Sequence, residues 1–376
     1  MKEMTQIREQ FPITENKVFL NHAAQSPLPK CVADALRRYI DDFSKFGTTS
    51  IEWDDGGKSF FGELIGANPE EVAFIENTST GLNIIANALQ YPLRSKVVTT
   101  DLEYPSVVYP WLRISPRVKV HYVRHSEGRI LLEDMEKAVD DNTVAVAISH
   151  VEYVNGFRHD LRALSEIAHE HGAYLIVDAI QSVGALKMDV KKDDVDFLAS
   201  SCYKWLLSPP GVGYLYVRGD LVEDLEPPFV GWASVEQEVF KTIDFWDIWS
   251  LKLSKTASRF EIGSPSFISL VGAKEAMKML LTYGIENVEM EILKVTDHLI
   301  EAVKDSEFEL QTPEDPRCRS GIVNFKIDKP EEVVEKLSGK AIIVSARSHG
   351  IRVSPHFYNT EEEIDNLIDE INAILS

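Results

Sequence analysis

Cysteine is scarce in this 376-residue chain. Only Cys31, Cys202 and Cys318 occur, at spacings that suit neither a disulfide framework nor a CxxC zinc site. A reducing cytoplasm and no metal centre are the expectations. Long apolar runs are missing as well. No stretch approaches the ~18 residues of a membrane span, and the opening MKEMTQIREQF is charged where a signal peptide would be apolar. Basic residues are the minority, 39 Lys+Arg against 60 Asp+Glu, for a net charge of -21. Such a surface repels a phosphodiester backbone, which argues against nucleic acid as the main partner. A small anion can still bind, because local donors outweigh distant, screened charge.

Several nucleotide and hydrolase signatures are absent too. GGKS at 56–59 has the tail of a phosphate-binding loop, but Glu52 stands where its first glycine is required. Neither GxGxxG after a strand nor a GxSxG elbow occurs. His169 and His171 are two apart in a helical stretch and do not share a face, so they read as a solvated helix end rather than metal ligands.

What is present is an alternation of β-branched runs and helical patterns. VAFIE (72–76), KVVTT (96–100), KVHYV (119–123), TVAVAIS (143–149), YLIVD (174–178), DFLAS (196–200) and GYLYV (213–217) read as buried strands. Helices such as LRALSEIAHEHG separate them, predicting an α/β architecture with a mostly parallel sheet covered on both faces. After about residue 264 long amphipathic helices precede short strands and a terminal helix. Two units are expected: a large domain over 15–264, and a smaller α+β domain made of 1–14 with 265–376. In parallel sheets ligands collect at the carboxyl ends of strands, so the residues just past these runs matter most.

Asp178 ends YLIVD, and a carboxylate at the exit of a buried strand is costly without a cation or donor. Lys204 follows a second strand in SSCYKW. Taken singly, Asp178 reads as a helix cap and Lys204 as a surface lysine. Together, a lysine able to form a Schiff base and an acid able to protonate a pyridine nitrogen are the minimum equipment for pyridoxal phosphate chemistry. FIENTSTGLNIIANAL supplies a candidate phosphate site. Thr78 and Ser79 open a helix whose Leu82, Ile85, Ala86 and Leu89 follow one-face spacing.

With VDAxQSxG, SxxKW, GVGYLYV, RFEIGSP and IRVSPHFYNT in this order, the sequence resembles the class V aminotransferase superfamily of pyridoxal phosphate enzymes. That superfamily includes cysteine desulfurases and isopenicillin N epimerase-like proteins. The resemblance runs from FLNHAAQSPLP at 19–29 to SPHFYNTEEEID at 354–365. It implies fold type I, with Lys204 as Schiff-base lysine, Asp178 beside the pyridine nitrogen and Gln181 beside the ring oxygen. Thr78, Ser79 and Ser201 become phosphate contacts. Ser264 becomes a phosphate contact given to the partner subunit, hence a homodimer with shared active sites. Arg352 becomes the grip on a substrate α-carboxylate, a geometry that a bidentate guanidinium suits.

Departures from the family pattern bear on the reaction. Tyr203 stands where desulfurases carry histidine near the lysine, and EYPS offers Tyr104, or else Pro105, to cover the cofactor ring. The family's usual asparagine falls at Tyr153, with Asn155 two positions on. Desulfurases also carry a nucleophilic cysteine on a mobile loop before the carboxylate arginine, and IVSARSHGIRVS has none. Cys202 reads as a packed residue. His22 and His356 are candidates for the substrate mouth, and Arg347 and His349 for side-chain selection. The expected activity is that of an aminotransferase on a small amino acid. An epimerase, a carbon–sulfur lyase and a catalytically silent binding protein are the alternatives.

Overall fold

The seven β-branched runs form the seven strands of one sheet. They are β2 Val72–Ile75, β3 Lys96–Thr100, β4 Lys119–Val123, β5 Thr143–Ser149, β6 Tyr174–Asp178, β7 Phe197–Ser201 and β8 Gly213–Val217. In this computed structural model, which describes residues 6–49, 55–236 and 249–376, the strand order is β2-β8-β7-β6-β5-β3-β4. Only β8 runs against its neighbours. The expected α/β class with a mostly parallel sheet is therefore what the chain forms. Residues 1–5 of the N-terminal segment and Glu52 of the rejected phosphate loop lie outside the described residues.

Both faces of the sheet are covered, as continuous apolar strands require. Along β5, Val146 and Ile148 belong to one core with Leu161, Leu164 and Ala168 of the helix Leu161–Glu170. Ala145 and Ala147 belong to the other, with Val107 and Trp111 of the helix Pro105–Ile114. Alternation at period two thus divides a single strand between two cores. The predicted stripe Leu82, Ile85, Ala86 and Leu89 is buried in the second core.

A four-stranded antiparallel sheet follows, in the order β12-β13-β10-β9. Its strands are β9 Glu309–Leu310, β10 Val323–Lys326, β12 Ser345–Arg347 and β13 Gly350–Val353. Helices Ile285–Lys304 and Glu361–Leu375 bury Val295, Leu299, Ile364 and Leu367 in a third core against it. The segment β1 Val18–Phe19 pairs in parallel with β11 Ile342–Ile343, and Arg8 bonds Glu363 at 2.8 Å. Among the described residues no helix is long and apolar enough to cross a membrane.

The stretch carrying Lys204 is fastened from several sides. Ser26 N donates to Tyr203 O at 3.0 Å and Leu207 N to Lys204 O at 2.9 Å. Gly184 backs the same stretch in a left-handed conformation, φ 92°, and a Cβ there would lie 2.5 Å from Trp205 O. Gly184→Ala should therefore cost about 2–4 kcal/mol of folding stability, from backbone strain and displacement of the Trp205–Leu206 peptide. Urea denaturation checks this, and wild-type stability in the variant would refute it.

Candidate functional site

The carboxyl ends of β2, β3, β5, β6 and β7 share one edge of the large sheet, and a cavity of about 560 Å³ opens there. Ser149 and Asp178 close two adjacent strands in register. The arginines on the opposite wall, Arg347 and Arg352, come from β12 and β13 of the smaller sheet. Of the sequence-predicted residues, Thr78, Ser79, Tyr104, Tyr153, Asp178, Gln181, Ser201, Tyr203, Lys204, Arg347 and Arg352 reach this wall, and His349 does not.

Three hydroxyls gather because a strand end and a helix start meet. Thr78 N donates to Ser201 Oγ at 2.7 Å, and Ser201 N donates to Thr78 Oγ1 at 2.9 Å. Ser79 Oγ shares a hydrogen bond with Ser106 Oγ at 2.7 Å. Asn77 caps the helix Thr78–Ala88 by accepting from Thr80 N. The dipole of that helix favours an anion at its start. Ser106 escaped the sequence reading, although its place after Tyr104 and Pro105 at a helix start is the same kind of signal.

Asp178 is buried, and among the described residues its side chain accepts only from Ile180 N, at 2.9 Å. Burial pushes its carboxyl up to about 6, against the pull of the Ile180 N–H and Lys204. Lys204 is driven the other way. Burial, with Arg352 and Arg347 adding to it, brings its amine down to about 8, while Asp178 resists. Among the described residues its Nζ has no hydrogen-bond partner and lies 6.0 Å from the Tyr203 ring. A lysine near 8 has an appreciable neutral fraction at physiological pH, as a nucleophile or base requires.

Arg352 is 2% exposed, yet among the described residues it meets only uncharged oxygens: Nε donates to Ser345 Oγ at 3.3 Å and Nη1 to Tyr153 O at 2.8 Å. A buried guanidinium without a carboxylate is costly until an anion arrives. Tyr153 packs edge-on against Tyr104, ring centroids 5.2 Å apart. Both rings line the cavity, and Tyr104 is half exposed.

His22, His356 and Asn155 do not reach the cavity wall, contrary to the expectation for them. His22 is buried, its Nδ1 donating to Ser354 O and its Nε2 accepting from the Tyr358 hydroxyl, both at 2.9 Å. His356 Nε2 donates to Trp205 O at 3.0 Å, and Nδ1 accepts from Phe357 N. Burial holds both imidazoles well below their ordinary range, His356 at about 4, so they are neutral struts. Asn155 binds Gly128 O at 2.7 Å and Phe157 N at 3.1 Å and shapes its own loop. Its neighbour Tyr153 takes the wall position. Ser264 is exposed and outside the cavity.

Gln181 lines the cavity while tied at both ends, Nε2 to Ala23 O and Oε1 to Trp205 Nε1. Behind the site lies an acidic pair that the sequence reading passed over. Glu103 accepts from Ser149 N at 2.8 Å and Ser149 Oγ at 2.6 Å. Glu152 is fully buried and accepts from Thr100 Oγ1 and His159 Nε2. Burial first, and then neighbouring acids, raise both carboxyls, Glu152 to about 8. Glu152 is therefore mostly protonated at pH 7. That spares Asp178 a second buried anion.

This donor set fits pyridoxal phosphate. Hydroxyls at a helix start suit a phosphate, a buried carboxyl that no cation bridges among the described residues suits a pyridine nitrogen, and a depressed lysine suits an aldehyde. Among the described residues no cluster of His, Cys, Asp and Glu is arranged to hold a metal.

Comparison with known proteins agrees. Residues 18–367 match the family described as Aminotransferase class-V. An uncharacterized aminotransferase, YcbU, of Bacillus subtilis (strain 168) is 32% identical, over 98% of this chain and 97% of that protein. A probable cysteine desulfurase of Pyrococcus abyssi (strain GE5 / Orsay) is 28% identical over the same shares. Among solved structures, the apo cysteine desulfurase from Thermococcus onnurineus NA1 superposes with a TM-score of 0.88 at 26% identity, covering 98% of this chain and 97% of that one. With a matched family spanning most of its length and this site at the edge of a fold-type I sheet, the chain belongs to the class-V aminotransferase family of pyridoxal phosphate enzymes.

Proposed function

We propose that the protein is a lyase that removes a β-substituent, foremost a sulfur one, from a small amino acid. The observation that carries this reading is the pairing of Arg352 with Tyr153. The guanidinium suited to an α-carboxylate holds the backbone of a tyrosine on the same wall. Burial raises the Tyr153 phenol, keeping its proton available to a departing group. Kinship with proteins named cysteine desulfurases supports carbon–sulfur cleavage over the transamination that the sequence alone suggested.

Thr78, Ser79, Ser106 and Ser201 would hold the cofactor phosphate, Asp178 the ring nitrogen, and Lys204 the aldehyde carbon. The bound cofactor supplies an electron sink for bonds broken at the α-carbon. Lys204, once released, takes the α-proton as general base. Tyr104 would cover one ring face. The overall balance is amino acid plus water giving thiol, pyruvate and ammonia. Sulfur storage on the enzyme has no support. None of the three cysteines lines the cavity, and burial raises the Cys202 thiol.

The homodimer with shared sites belongs to the same proposal. Exposed Phe229, Val230, Trp232 and Ile262 gather near Ser264, apolar surface that a second copy would cover. Three free cysteines agree with a reducing compartment such as the cytoplasm. Transamination is the second reading, favoured by the relative named an aminotransferase.

Mixing the holoenzyme with a panel of amino acids, followed by absorbance and mass spectrometry, separates these. Pyruvate and free thiol with the aldehyde form retained is the expected result. A keto acid matching the donor, with conversion to the pyridoxamine form, would install transamination instead. Lys204→Ala should lose at least about 10³-fold in turnover. Sedimentation should show a dimer, and a monomer with full activity would remove the role given to Ser264.

The pH behaviour of Glu152 is a separate test. Its folded carboxyl keeps a proton up to about 8, against an ordinary 4.5 in the unfolded chain. Between these values the folded state binds more protons, so this group makes stability fall as pH rises. The stability of Glu152→Gln relative to wild type should therefore improve from about pH 4.5 to about 8 and then level off, in urea melts of the cofactor-free protein. A pH-independent difference would contradict the buried neutral acid.

A further inference from the structure

The cavity carries a second arginine that an α-carboxylate does not require. Ser345 stands opposite Arg352, and Arg347 opposite Gly350, in the β12–β13 ladder. Alternate residues share a face, so Arg347 and Arg352 are diagonal neighbours on the side turned to the cavity. Gly350 has no side chain to fill the place across from Arg347, and a Cβ there would lie 2.3 Å from Phe325 O. The hairpin that presents them closes in two residues, Ser348 and His349, at φ 48° and 61°.

Among the described residues Arg347 has no acidic partner, and the one hydrogen bond of its guanidinium is Nη1 to its neighbour Ala346 O, at 2.7 Å. This is unusual in a chain where acids outnumber bases 60 to 39. Two guanidinium groups and Lys204 share the wall with a single carboxylate, Asp178. Arg347 adds to the burial that brings Arg352 down to about 10, a repulsion that two anionic groups would relieve. The hydroxyl cradle for the cofactor phosphate is built on the large sheet. The two arginines stand on the smaller one, where the substrate would face them.

We propose that Arg347 reads a second anionic group on the substrate, so that the preferred substrates are amino acids with an acidic or anionic β-substituent. The proposal rests on the reading of Arg352 as the α-carboxylate site. A guanidinium beside the leaving group would favour one that departs as a thiolate carrying its own anionic group.

Calorimetric titration of the holoenzyme with succinate and with butyrate tests this, since neither has an amino group to react with the cofactor. Succinate should bind at least about tenfold more tightly, the order expected for one charge-assisted contact. Arg347→Gln, with its cofactor absorbance intact, should bring succinate down to the butyrate level. Its kcat/KM should fall for S-carboxymethylcysteine, which with water would give thioglycolate, pyruvate and ammonia, far more than for S-methylcysteine. Equal affinities in the wild type, or a preference that survives in Arg347→Gln, would overturn the proposal. Both arginines would then serve one carboxylate. Arg352→Lys should weaken both acids. If it weakens neither, the α-carboxylate reading fails first and takes the proposal with it, a result distinct from loss of the succinate preference alone.

Discussion

The site depends on holding an amine and a carboxyl out of water, near one another, without letting them neutralise as a bonded pair. Asp178 is anchored by a backbone N–H and Lys204 by none of its own side-chain hydrogens. Burial pushes the carboxyl up and the amine down, each toward its uncharged form, at a cost in stability. That cost is met by the surrounding scaffold: two apolar cores, one on each face of the sheet, keep the strand ends rigid. A site of this kind is an unfavourable place in a favourable fold, completed by a cofactor that supplies the missing charges.

The struts around Lys204 come from parts of the chain far away in sequence. Ser26 fixes the Lys204–Trp205 peptide through Lys204 O, while Gly184 and His356 both back the next one, at Trp205 O. Arg352 and Tyr153 join the two sheets through one hydrogen bond. Asp178 and Lys204 stand at strand ends of the large sheet and Arg347 and Arg352 on the small one, so the distance between these two groups of side chains is set by how the layers pack. Buried His22, bonded on both nitrogens to the Ser354–Tyr358 segment, is part of that seam.

Most of this fold was legible in the sequence because its strands are short, apolar throughout and separated by clear helical periods. VAFI, KVVTT and GYLYV occupy the predicted positions within a residue. Lys204, Asp178 and Thr78 were legible because strand ends in parallel sheets collect ligands. His22, His356 and Asn155 misled because residue type does not tell which way a side chain faces. An imidazole near a mouth and one behind it look alike until the packing is known. Ser106 and the Glu103–Glu152 pair depend on contacts between separate strand exits, which linear spacing does not encode. The standing of Arg347 follows from hairpin register, and register is a property of pairing.

The turn at Ser348 and His349 reaches beyond chemistry at the α-carbon. Two left-handed residues close the hairpin as tightly as a β-ribbon allows, leaving no slack to swing a side chain in and out of the cavity. Such a rim presents Arg347 and Arg352 at a spacing fixed by the ribbon itself, so this side of the cavity would sort what enters by length rather than by closing around it.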